Sequence, residues 1–379
     1  MGNPHETSAD VRLIASDNSW IEGDAVRQLN KTAELPGIEY AVGFPDLHPG
    51  KAYPVGATFV SRDCLYPLLA GNDIGCAMAF WRTDMPVRKA KLERWAKKLD
   101  GLDMPFDGDT GSWLEQRGLK PGPHDAGLGT IGGGNHFAEL QRVEEVFDAD
   151  RFAAIGLDKN ECCLLVHSGS RGLGQAVHRQ HIDNHGARAL ETGSEAAEIY
   201  GTAHDEACRW AEASRGLIAQ RFADQIGFDL SLIGDVPHNS LSREDWRGEP
   251  AWFHRKGAAT ARSGPVMVPG SRGTLSYLVD AAGDGDDVAW SMAHGAGRRW
   301  QRGYAKSRLS AKYRVKDMER TPLGGHVVCE DRQLLYDEAP QAYKDIAQVI
   351  DDLKAAGTVN VIASFRPLLT YKCRKQGDE

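Results

Sequence analysis

Four histidine-containing motifs and one Asp-x-x-Cys motif are scattered along most of this 379-residue chain. Glycine stands in or beside most of them, and it lets a ligand or phosphate approach the backbone closely. Together they indicate one centre assembled from distant segments. The motifs are Asp73-Ile74-Gly75-Cys76, Gly134-Asn135-His136, Val166-His167-Ser168-Gly169, His238-Asn239 and Ala293-His294-Gly295-Ala296-Gly297.

The motifs supply a carboxylate, a thiol and several imidazoles, which are the side chains that ligate divalent cations. Taken singly, each has an ordinary structural explanation: Asp73 can cap a turn, Cys76 can be a core residue, and a lone histidine commonly bonds a carbonyl. Their joint presence favours a metal centre able to hold two divalent ions. Thiolate and imidazole favour zinc, whereas a carboxylate suits a harder ion such as manganese, so the spacing leaves both open.

No internal repeat or low-complexity linker divides the chain, so we expect a single domain over residues 1–379. No apolar run reaches the roughly 18 residues that a membrane helix needs. We therefore expect a cytoplasmic protein without a membrane partner. The net charge of −8 argues against a surface that binds polyanions everywhere.

One segment departs from this acidic balance. From Gly297 to Lys316 there are eight cations and no acid, interleaved with Trp300, Tyr304 and Tyr313. This composition suits phosphate contacts combined with base stacking. It is also typical of a solvated helix face, and the sequence leaves both interpretations open.

The pattern of apolar residues predicts a coarse set of helices and strands. Because they do not alternate regularly, we expect an α/β (mixed α+β) fold of layered mixed sheets flanked by helices, rather than a doubly wound sheet. The predicted elements are strands at 55–61 and 164–166, a basic helix over 86–99, a long helix over about 188–226, a helix with Tyr343, Ile346, Ile350 and Leu353 on one face that ends at Gly357, and a strand from Val359 to Lys372.

Two glycine loops, one beginning at Pro269 and one at His294, can form nests of backbone N–H groups that bind anions. Neither is a P-loop. The second loop is distinctive because a neutral imidazole can attack phosphorus to give a phosphoramidate, while metal ions align the leaving group. His294 is therefore the candidate nucleophile, although it can also be a loop histidine bonded to a carbonyl.

Two further patterns do not support a site. The segment from Gly127 to Gly132 fits G-x-G-x-x-G, but it follows polar residues and more glycines follow it, so a Rossmann interpretation fails. His178, His181 and His185 are spaced for one helix face, but no acid or thiol completes them. We expect them to form an exposed polar face.

Taken in order along the chain, these and further motifs resemble those of the RtcB RNA-splicing ligases over nearly the whole length. The matching strings are Pro45-Asp46-Leu47-His48, Asp73-Ile74-Gly75-Cys76, Gly129-Thr130-Ile131-Gly132-Gly133-Gly134-Asn135-His136-Phe137-Ala138-Glu139, His167-Ser168-Gly169-Ser170-Arg171-Gly172-Leu173-Gly174, His238-Asn239, His254-Arg255-Lys256-Gly257-Ala258, Pro269-Gly270-Ser271, His294-Gly295-Ala296-Gly297-Arg298 and Ala342-Tyr343-Lys344.

The resemblance implies roles for individual residues. His294 would be the nucleophile that attacks GTP and retains GMP. Two manganese ions, bridged by Cys76, would be held by Asp73, Cys76, His136, His167 and His238. The guanylate would be bound by Asn135, His136, Glu139, His238, Asn239, Pro269, Gly270, Ser271, Arg272, Ser276, the loop His294, Gly295, Ala296 and Gly297, Tyr343 stacking on guanine, and Lys372 hydrogen-bonding it.

The resemblance also implies a reaction. GMP would be transferred to an RNA 3′-phosphate, after water has opened any 2′,3′-cyclic phosphate, and attack by a 5′-hydroxyl would join the strands, in RNA repair or tRNA splicing. Two alternatives stay open: a self-guanylylating paralogue that acts on another phosphorylated end such as DNA, and a non-catalytic RNA-binding relative. The chain is most similar to a compact branch associated with release-factor-like proteins, which implies such a protein, or another activating protein, as a partner. Arg272 replaces a residue that is often apolar in the family, and can add a phosphate contact.

Overall fold

The computed structural model describes residues 9–262 and 264–374, so the ends of the predicted domain, residues 1–8 and 375–379, lie outside the described residues. The described residues form seventeen strands: β1 (Asp10–Leu13), β2 (Ile38–His48), β3 (Val55–Ser61), β4 (Cys64–Leu65), β5 (Ala77–Pro86), β6 (Phe137–Val146), β7 (Glu161–Ser168), β8 (Leu190–Glu191), β9 (Leu230–Pro237), β10 (Asn239–Trp246), β11 (Glu249–Lys256), β12 (Ala258–Thr260), β13 (Val266–Val268), β14 (Ser276–Ala281), β15 (Ser291–Ala293), β16 (His326–Cys329) and β17 (Val359–Cys373).

The same ranges contain ten α-helices: α1 (Gly23–Ala33), α2 (Leu92–Lys98), α3 (Thr110–Glu115), α4 (Ala149–Ala154), α5 (Arg171–His185), α6 (Glu195–Ile226), α7 (Tyr304–Leu309), α8 (Val315–Met318), α9 (Arg332–Asp337) and α10 (Ile346–Ala355). No helix in the described part of the chain is long and apolar enough to cross a membrane.

Two large sheets organise the fold. The eight-stranded sheet has the order β13-β14-β17-β6-β7-β5-β9, and β16 pairs in parallel with β17. The five-stranded sheet has the order β1-β2-β3-β11-β10, and two short pairs, β12 with β15 and β4 with β8, complete the set. The predicted mixed α/β class is therefore confirmed.

The middle of the larger sheet determines where the motifs meet. β6, β7, β5 and β9 are hydrogen-bonded in this order and all pair antiparallel. The first residues of β5 and β6 and the last residues of β7 and β9 therefore lie at the same end of the sheet. Alternate side chains point to opposite faces: Leu164 and Val166 pack on the side of α2 and α6, and Cys163 and Leu165 pack with Met267 and Phe365.

Several predicted elements are confirmed with shifted ends. The strand at 55–61 is β3, the strand at 164–166 extends to Glu161–Ser168, and the strand from Val359 extends to Cys373. The long helix begins at Glu195 instead of 188, because Ser194 caps it by accepting a hydrogen bond from the backbone N–H of Ala197 at 3.3 Å. Its first predicted residues instead form the short strand β8.

Three expectations are wrong in part. The segment 86–99 is a 3₁₀ turn, Val87–Lys89, followed by α2, because Ala90 between them is extended. Tyr343 lies outside α10, since the Asp345 side chain caps that helix two residues later by accepting from Ala347 at 3.0 Å. His181 is buried, with its ring 5.5 Å from that of Tyr200 on α6, so the α5 histidines do not form a uniformly exposed face.

The G-x-G-x-x-G segment does not have the structure of a dinucleotide-binding motif, as expected. The glycines from 127 to 132 end a 3₁₀ turn and lead through a loop into strand β6, with no helix after them. The Rossmann interpretation therefore has no support from the fold.

Candidate functional site

Strand ends bring the candidate ligands together. Cys76 immediately precedes β5, His136 immediately precedes β6, His167 is next to last in β7, and His238 immediately follows β9. Because these strands are neighbours and antiparallel, the four side chains meet at one end of the sheet. Asp73 joins them from the turn that leads into β5.

The Cys76 thiol is the centre of this cluster. Its Sγ lies 3.4 Å from Nε2 of His136 and 3.1 Å from Nε2 of His167, and these three buried ligand atoms lie within 4.8 Å of one another. Ligands of one zinc-sized cation lie about 2.0–2.3 Å from it, so two of them are separated by at most about 4.6 Å. The spacing therefore fits a metal ion.

Asp73 and His238 extend the cluster on two sides. Oδ2 of Asp73 is 2.9 Å from Nε2 of His136, and the His238 ring centroid is 5.1 Å from that of His167. In the described residues, Nδ1 of His136 and Nδ1 of His238 are buried without a hydrogen-bond partner. All five predicted metal ligands are thus brought together, in an arrangement that leaves imidazole nitrogens available.

Hydrogen bonding and burial set the protonation of the cluster. The carbonyl of Asn135 accepts a hydrogen bond from Nδ1 of His167 at 3.2 Å, so the neutral ring presents the lone pair of Nε2 to Cys76. Burial holds the pKa values of His167 and His238 well below their usual range. Burial and the Asp73 carboxylate raise the pKa of the Cys76 thiol well above its own. A divalent cation would reverse this last effect and displace the thiol proton.

Arg215 on α6 supports the turn that carries Asp73 and Cys76. Its buried guanidinium donates to the carbonyls of Gly75 at 2.8 Å and Ser168 at 2.9 Å, and it pairs with Asp235 at 2.8 Å. Sequence reasoning missed this residue because it is one of several arginines on a long helix. A Cβ at position 169 would lie 2.1 Å from Oδ1 of Asp73, so a side chain there would displace that carboxylate from the cluster.

His294 follows β15 and is held by Asp46 of β2. Oδ2 of Asp46 accepts hydrogen bonds from Nδ1 of His294 at 2.6 Å and from its backbone N–H at 3.1 Å. The His294 ring centroid is 4.9 Å from that of His238, which places the candidate nucleophile beside the metal cluster. Lys344 fixes the Asp46 segment by donating to the carbonyls of Pro45 at 3.0 Å and Leu47 at 2.5 Å.

Asp46 holds the candidate nucleophile, and the sequence analysis gave this residue no role. It lies inside a largely apolar strand and is fully buried, and a carboxylate at such a position needs a specific partner. An isolated acid within an apolar strand was therefore the sequence signal that could have identified this residue. His48, two residues later, lines the same cavity as His294, and burial lowers its pKa to about 4.

This cavity has a volume of about 730 Å³ and opens beside the cluster. Of the predicted guanylate contacts, Ser276 and His136 do not line it. Those that do are Asn135, Glu139, His238, Asn239, Pro269, Gly270, Ser271, Arg272, His294, Gly295, Ala296, Gly297, Tyr343 and Lys372. Residues that the sequence analysis did not predict also line it, among them Glu338, Thr370 and Trp300.

Ser276 is connected to the cavity through other side chains. The Gln141 amide donates to Oγ of Ser276 at 3.1 Å and to Oε1 of Glu139 at 2.7 Å. The Thr370 hydroxyl donates to the other oxygen of Glu139 at 2.5 Å. Burial raises the pKa of Glu139 to about 7, although these hydrogen bonds act in the opposite direction.

Tyr343 lines the cavity and contacts two charged side chains. Its hydroxyl donates to Glu338, and the guanidinium of Arg298 lies 5.2 Å from its ring centroid. Arg298 also pairs with Glu338 at 3.0 Å. Lys372 donates to the carbonyl of His136 at 2.9 Å, which leaves two of its N–H groups for a ligand.

Arg272 is the charged member of the Pro269 loop. It is buried, donates to the carbonyl of Leu335 at 2.8 Å, and lines the cavity with Nη1 unpartnered among the described residues. Burial lowers its pKa. This buried cation can therefore hold an anionic group.

The segment from Arg298 to Lys316, here called the basic flank, begins at the cavity. Arg298, Arg299 and Arg302 line it, and the exposed cations of α7 and α8 follow. Arg299 lies 5.6 Å from the ring of Trp20, and Arg308 lies 4.9 Å from the ring of Trp300. The flank is thus a cavity wall at its start and a solvated surface beyond it, and both interpretations of the segment stay open.

Comparison with known proteins identifies the family. The sequence model described as "tRNA-splicing ligase RtcB" matches residues 28–118 and 115–373. The chain belongs to the RtcB family. The RtcB match spans every residue of the metal cluster, His294 and the cavity wall formed by β17.

The sequences of individual RtcB proteins align with this chain along nearly their whole length. The chain is 46% identical to "RNA-splicing ligase RtcB2" of Escherichia coli, over 96% of this chain and 95% of that protein. It is 28% identical to "tRNA-splicing ligase RtcB" of Archaeoglobus fulgidus, over 92% of this chain and 91% of that protein. "RNA-splicing ligase RtcB" of Mycobacterium tuberculosis is 27% identical, over 90% of this chain and 99% of its own length.

Proposed function

We propose that this protein is a GTP- and manganese-dependent RNA ligase, which joins RNA 3′-phosphate or 2′,3′-cyclic phosphate ends to 5′-hydroxyl ends. The observation that carries the proposal is the placement of His294. Its Nδ1 is engaged by Asp46, its Nε2 has no hydrogen-bond partner among the described residues, and it lies in the cavity beside the metal cluster. Family membership and the relatives' names support the same activity.

In the first step Nε2 of His294 attacks the α-phosphorus of GTP. A phosphorus–nitrogen bond forms, the bond to the bridging oxygen breaks, and pyrophosphate leaves. Asp46 keeps the proton on Nδ1, so the lone pair stays on Nε2 and the cation formed by attack is stabilised. Two divalent ions, held by Asp73, Cys76, His136, His167 and His238, would neutralise phosphate charge.

In the second stage an oxygen of the RNA 3′-phosphate attacks the same phosphorus, and the bond to His294 breaks. Water has first opened a cyclic end where one is present. The 5′-hydroxyl of the other strand then attacks the activated 3′-phosphorus, which forms the new phosphodiester and releases GMP. The chain contributes His294 as the carrier and the backbone N–H groups of Gly295 and Gly297 as donors, since the N–H of Ala296 donates to the carbonyl of Pro269 at 2.9 Å.

Guanylate recognition is assigned to other residues that line the cavity. Tyr343 would stack on the base, and Lys372 and Glu139 would hydrogen-bond its edge. Asn135, Asn239, Arg272 and the loop from Pro269 to Ser271 would hold the ribose and phosphate. Ser276 would act through Gln141 and Glu139, since it does not reach the cavity.

Labelling with GTP tests the proposal. The protein is incubated with α-labelled GTP and manganese, and we expect a covalent, acid-labile guanylate that His294→Ala abolishes and His185→Ala, at an exposed helix position, retains. Absence of an adduct with manganese, zinc or magnesium would leave the RNA-binding alternative. Matched RNA and DNA ends with 3′-phosphate and 5′-hydroxyl then separate an RNA ligase from a paralogue that acts on DNA.

Two finer points accompany the proposal. Manganese is proposed by family resemblance, because the ligand set itself leaves zinc and manganese open, and stepwise replacement of the metal in the labelling reaction tests this choice. A release-factor-like or activating protein is inferred as a partner by resemblance alone. Multiple turnover by the purified chain would argue against the need for an activator.

A further inference from the structure

We propose that RNA held at the cavity continues along the basic flank and around the edge of the sheet onto a second cationic surface formed by α2. This proposal rests on the proposed function and extends its substrate from a pair of ends to a longer strand. The second surface, here called the α2 face, consists of exposed cations, and the only acid between residues 87 and 98 is Glu93. Its cations are Arg88, Lys89, Lys91, Arg94, Lys97 and Lys98.

Strand β16 connects the two surfaces. Val328 packs in the apolar cluster that contains Trp95 and Leu99, at α2. Its neighbours Val327 and Cys329 pack in the cluster that contains Ala305 of α7. Because neighbouring side chains of a strand point to opposite faces, the basic flank and the α2 face cover opposite faces of the sheet at one edge strand.

An ion pair just beyond the end of the basic flank joins it to the α2 face. Arg320, just after α8, pairs with Glu93 of α2 at 2.5 Å, and the hydrogen bond and charge of Arg320 lower the pKa of Glu93. Other acids nearby are also engaged: Glu330 pairs with Arg374 at 3.2 Å, and Asp317 accepts from the backbone of Arg314 at 2.9 Å. Ion pairing neutralises Glu93 and Glu330, whereas Asp317 and Glu319 keep their charges, so the two cationic surfaces adjoin across a short junction that is not itself cationic.

The chemistry of the two surfaces fits RNA. The protein has a net charge of −8, so this concentration of cations runs against the overall balance. Tyr304 and Tyr313 on the basic flank are 58% and 37% exposed, and such rings can stack on bases. A membrane surface fits less well, because Trp95 of α2 is buried and leaves no large apolar side chain to insert.

Charge reversal on α2 tests the proposal in the full chain. The variant combines Lys91→Glu, Arg94→Glu and Lys97→Glu, and its binding to single-stranded RNA of about 5 and about 20 nucleotides is titrated at several salt concentrations. We expect at least tenfold weaker binding of the longer RNA and a salt slope reduced by about 0.7 for each phosphate that the variant no longer neutralises. Binding of the shorter RNA should change less than twofold.

A matched variant controls for net charge. Lys31→Glu, Lys120→Glu and Lys354→Glu change three exposed cations outside both surfaces, and binding of both RNAs should stay near that of the parent protein. Equally weakened binding in the two variants, or an unchanged salt slope in the α2 variant, would overturn the proposal. So would binding of the α2 face to vesicles rich in anionic lipid without an effect on RNA.

Labelling of His294 by GTP in the absence of RNA separates this proposal from the proposed function. The α2 variant should label at the parent rate, since α2 does not line the cavity. If the parent protein does not label, the ligase proposal fails. If both proteins label and the longer RNA binds equally to both, only the extended surface fails.

Discussion

Oδ2 of Asp46 lies 2.6 Å from Nδ1 of His294 and 3.1 Å from the backbone N–H of the same residue, so one carboxylate oxygen orients both the ring and the loop. The other oxygen, Oδ1, is buried without a partner in the described residues. A buried carboxylate in this position favours the tautomer with a proton on Nδ1 and a lone pair on Nε2.

The first prediction follows from this pair. Asp46→Asn should lower the rate of His294 guanylylation by about 100-fold or more, because an amide can hold the ring in the wrong tautomer and cannot stabilise the imidazolium. Single-turnover labelling with GTP gives the rate. GTP affinity should change little, since Asp46 does not line the cavity. A rate within about threefold of the parent protein would contradict a positioning role for Asp46.

The second prediction concerns the thiol of the cluster. Cys76→Ala should remove bound metal, because Sγ lies within 3.4 Å of both His136 and His167 and is the ligand proposed to bridge two ions. Metal content is measured by inductively coupled plasma analysis, and folding by circular dichroism. Cys162→Ala, a buried cysteine on the opposite face of the neighbouring strand, should keep its metal. Retention of both ions by Cys76→Ala would rule out the bridge.

The sequence predicted that the motif residues meet in one cluster, because they stand at strand ends and antiparallel neighbours bring such ends together. It did not predict Asp46 or Arg215, whose roles come from pairing between distant segments and not from local pattern. The start of α6 and the place of Tyr343 were misjudged because Ser194 and Asp345 cap helices, and apolar periodicity does not register a cap. His181 is buried by packing against α6, which its own helix cannot indicate.

The third prediction concerns pH. Burial raises the pKa of Glu139 from 4.5 to about 7, so the folded protein keeps a proton that the unfolded chain releases. The free energy of unfolding should therefore fall as pH rises from about 4.5 to about 7, by about 3 kcal/mol at most. Urea titrations across this range should show a smaller decline for Glu139→Gln. Glu145→Gln, an exposed residue of the same strand, should follow the parent protein.

The fourth prediction separates the ring of Tyr343 from its hydroxyl. Tyr343→Ala should raise the GTP concentration needed for half-maximal labelling by about tenfold or more, since stacking contributes about 1–3 kcal/mol per base. Tyr343→Phe loses the hydrogen bond to Glu338 but keeps the ring beside Arg298, and should stay within about threefold of the parent protein. Equal effects in the two variants would assign the role to the hydroxyl instead of to stacking.

The last prediction concerns the mouth of the cavity. Arg299 is exposed, Arg302 donates to Oδ1 of Asn135 at 3.2 Å, and both line the cavity where a phosphate chain would enter. Replacing both by alanine should weaken RNA binding and flatten its salt dependence, because each phosphate left without a cation lowers the slope for single strands by about 0.7. Binding is measured by fluorescence anisotropy at several salt concentrations. Lys159→Ala combined with Lys354→Ala removes two exposed cations elsewhere and should leave the slope unchanged. A slope that does not change in the arginine variant either would mean that the basic flank is only a solvated surface.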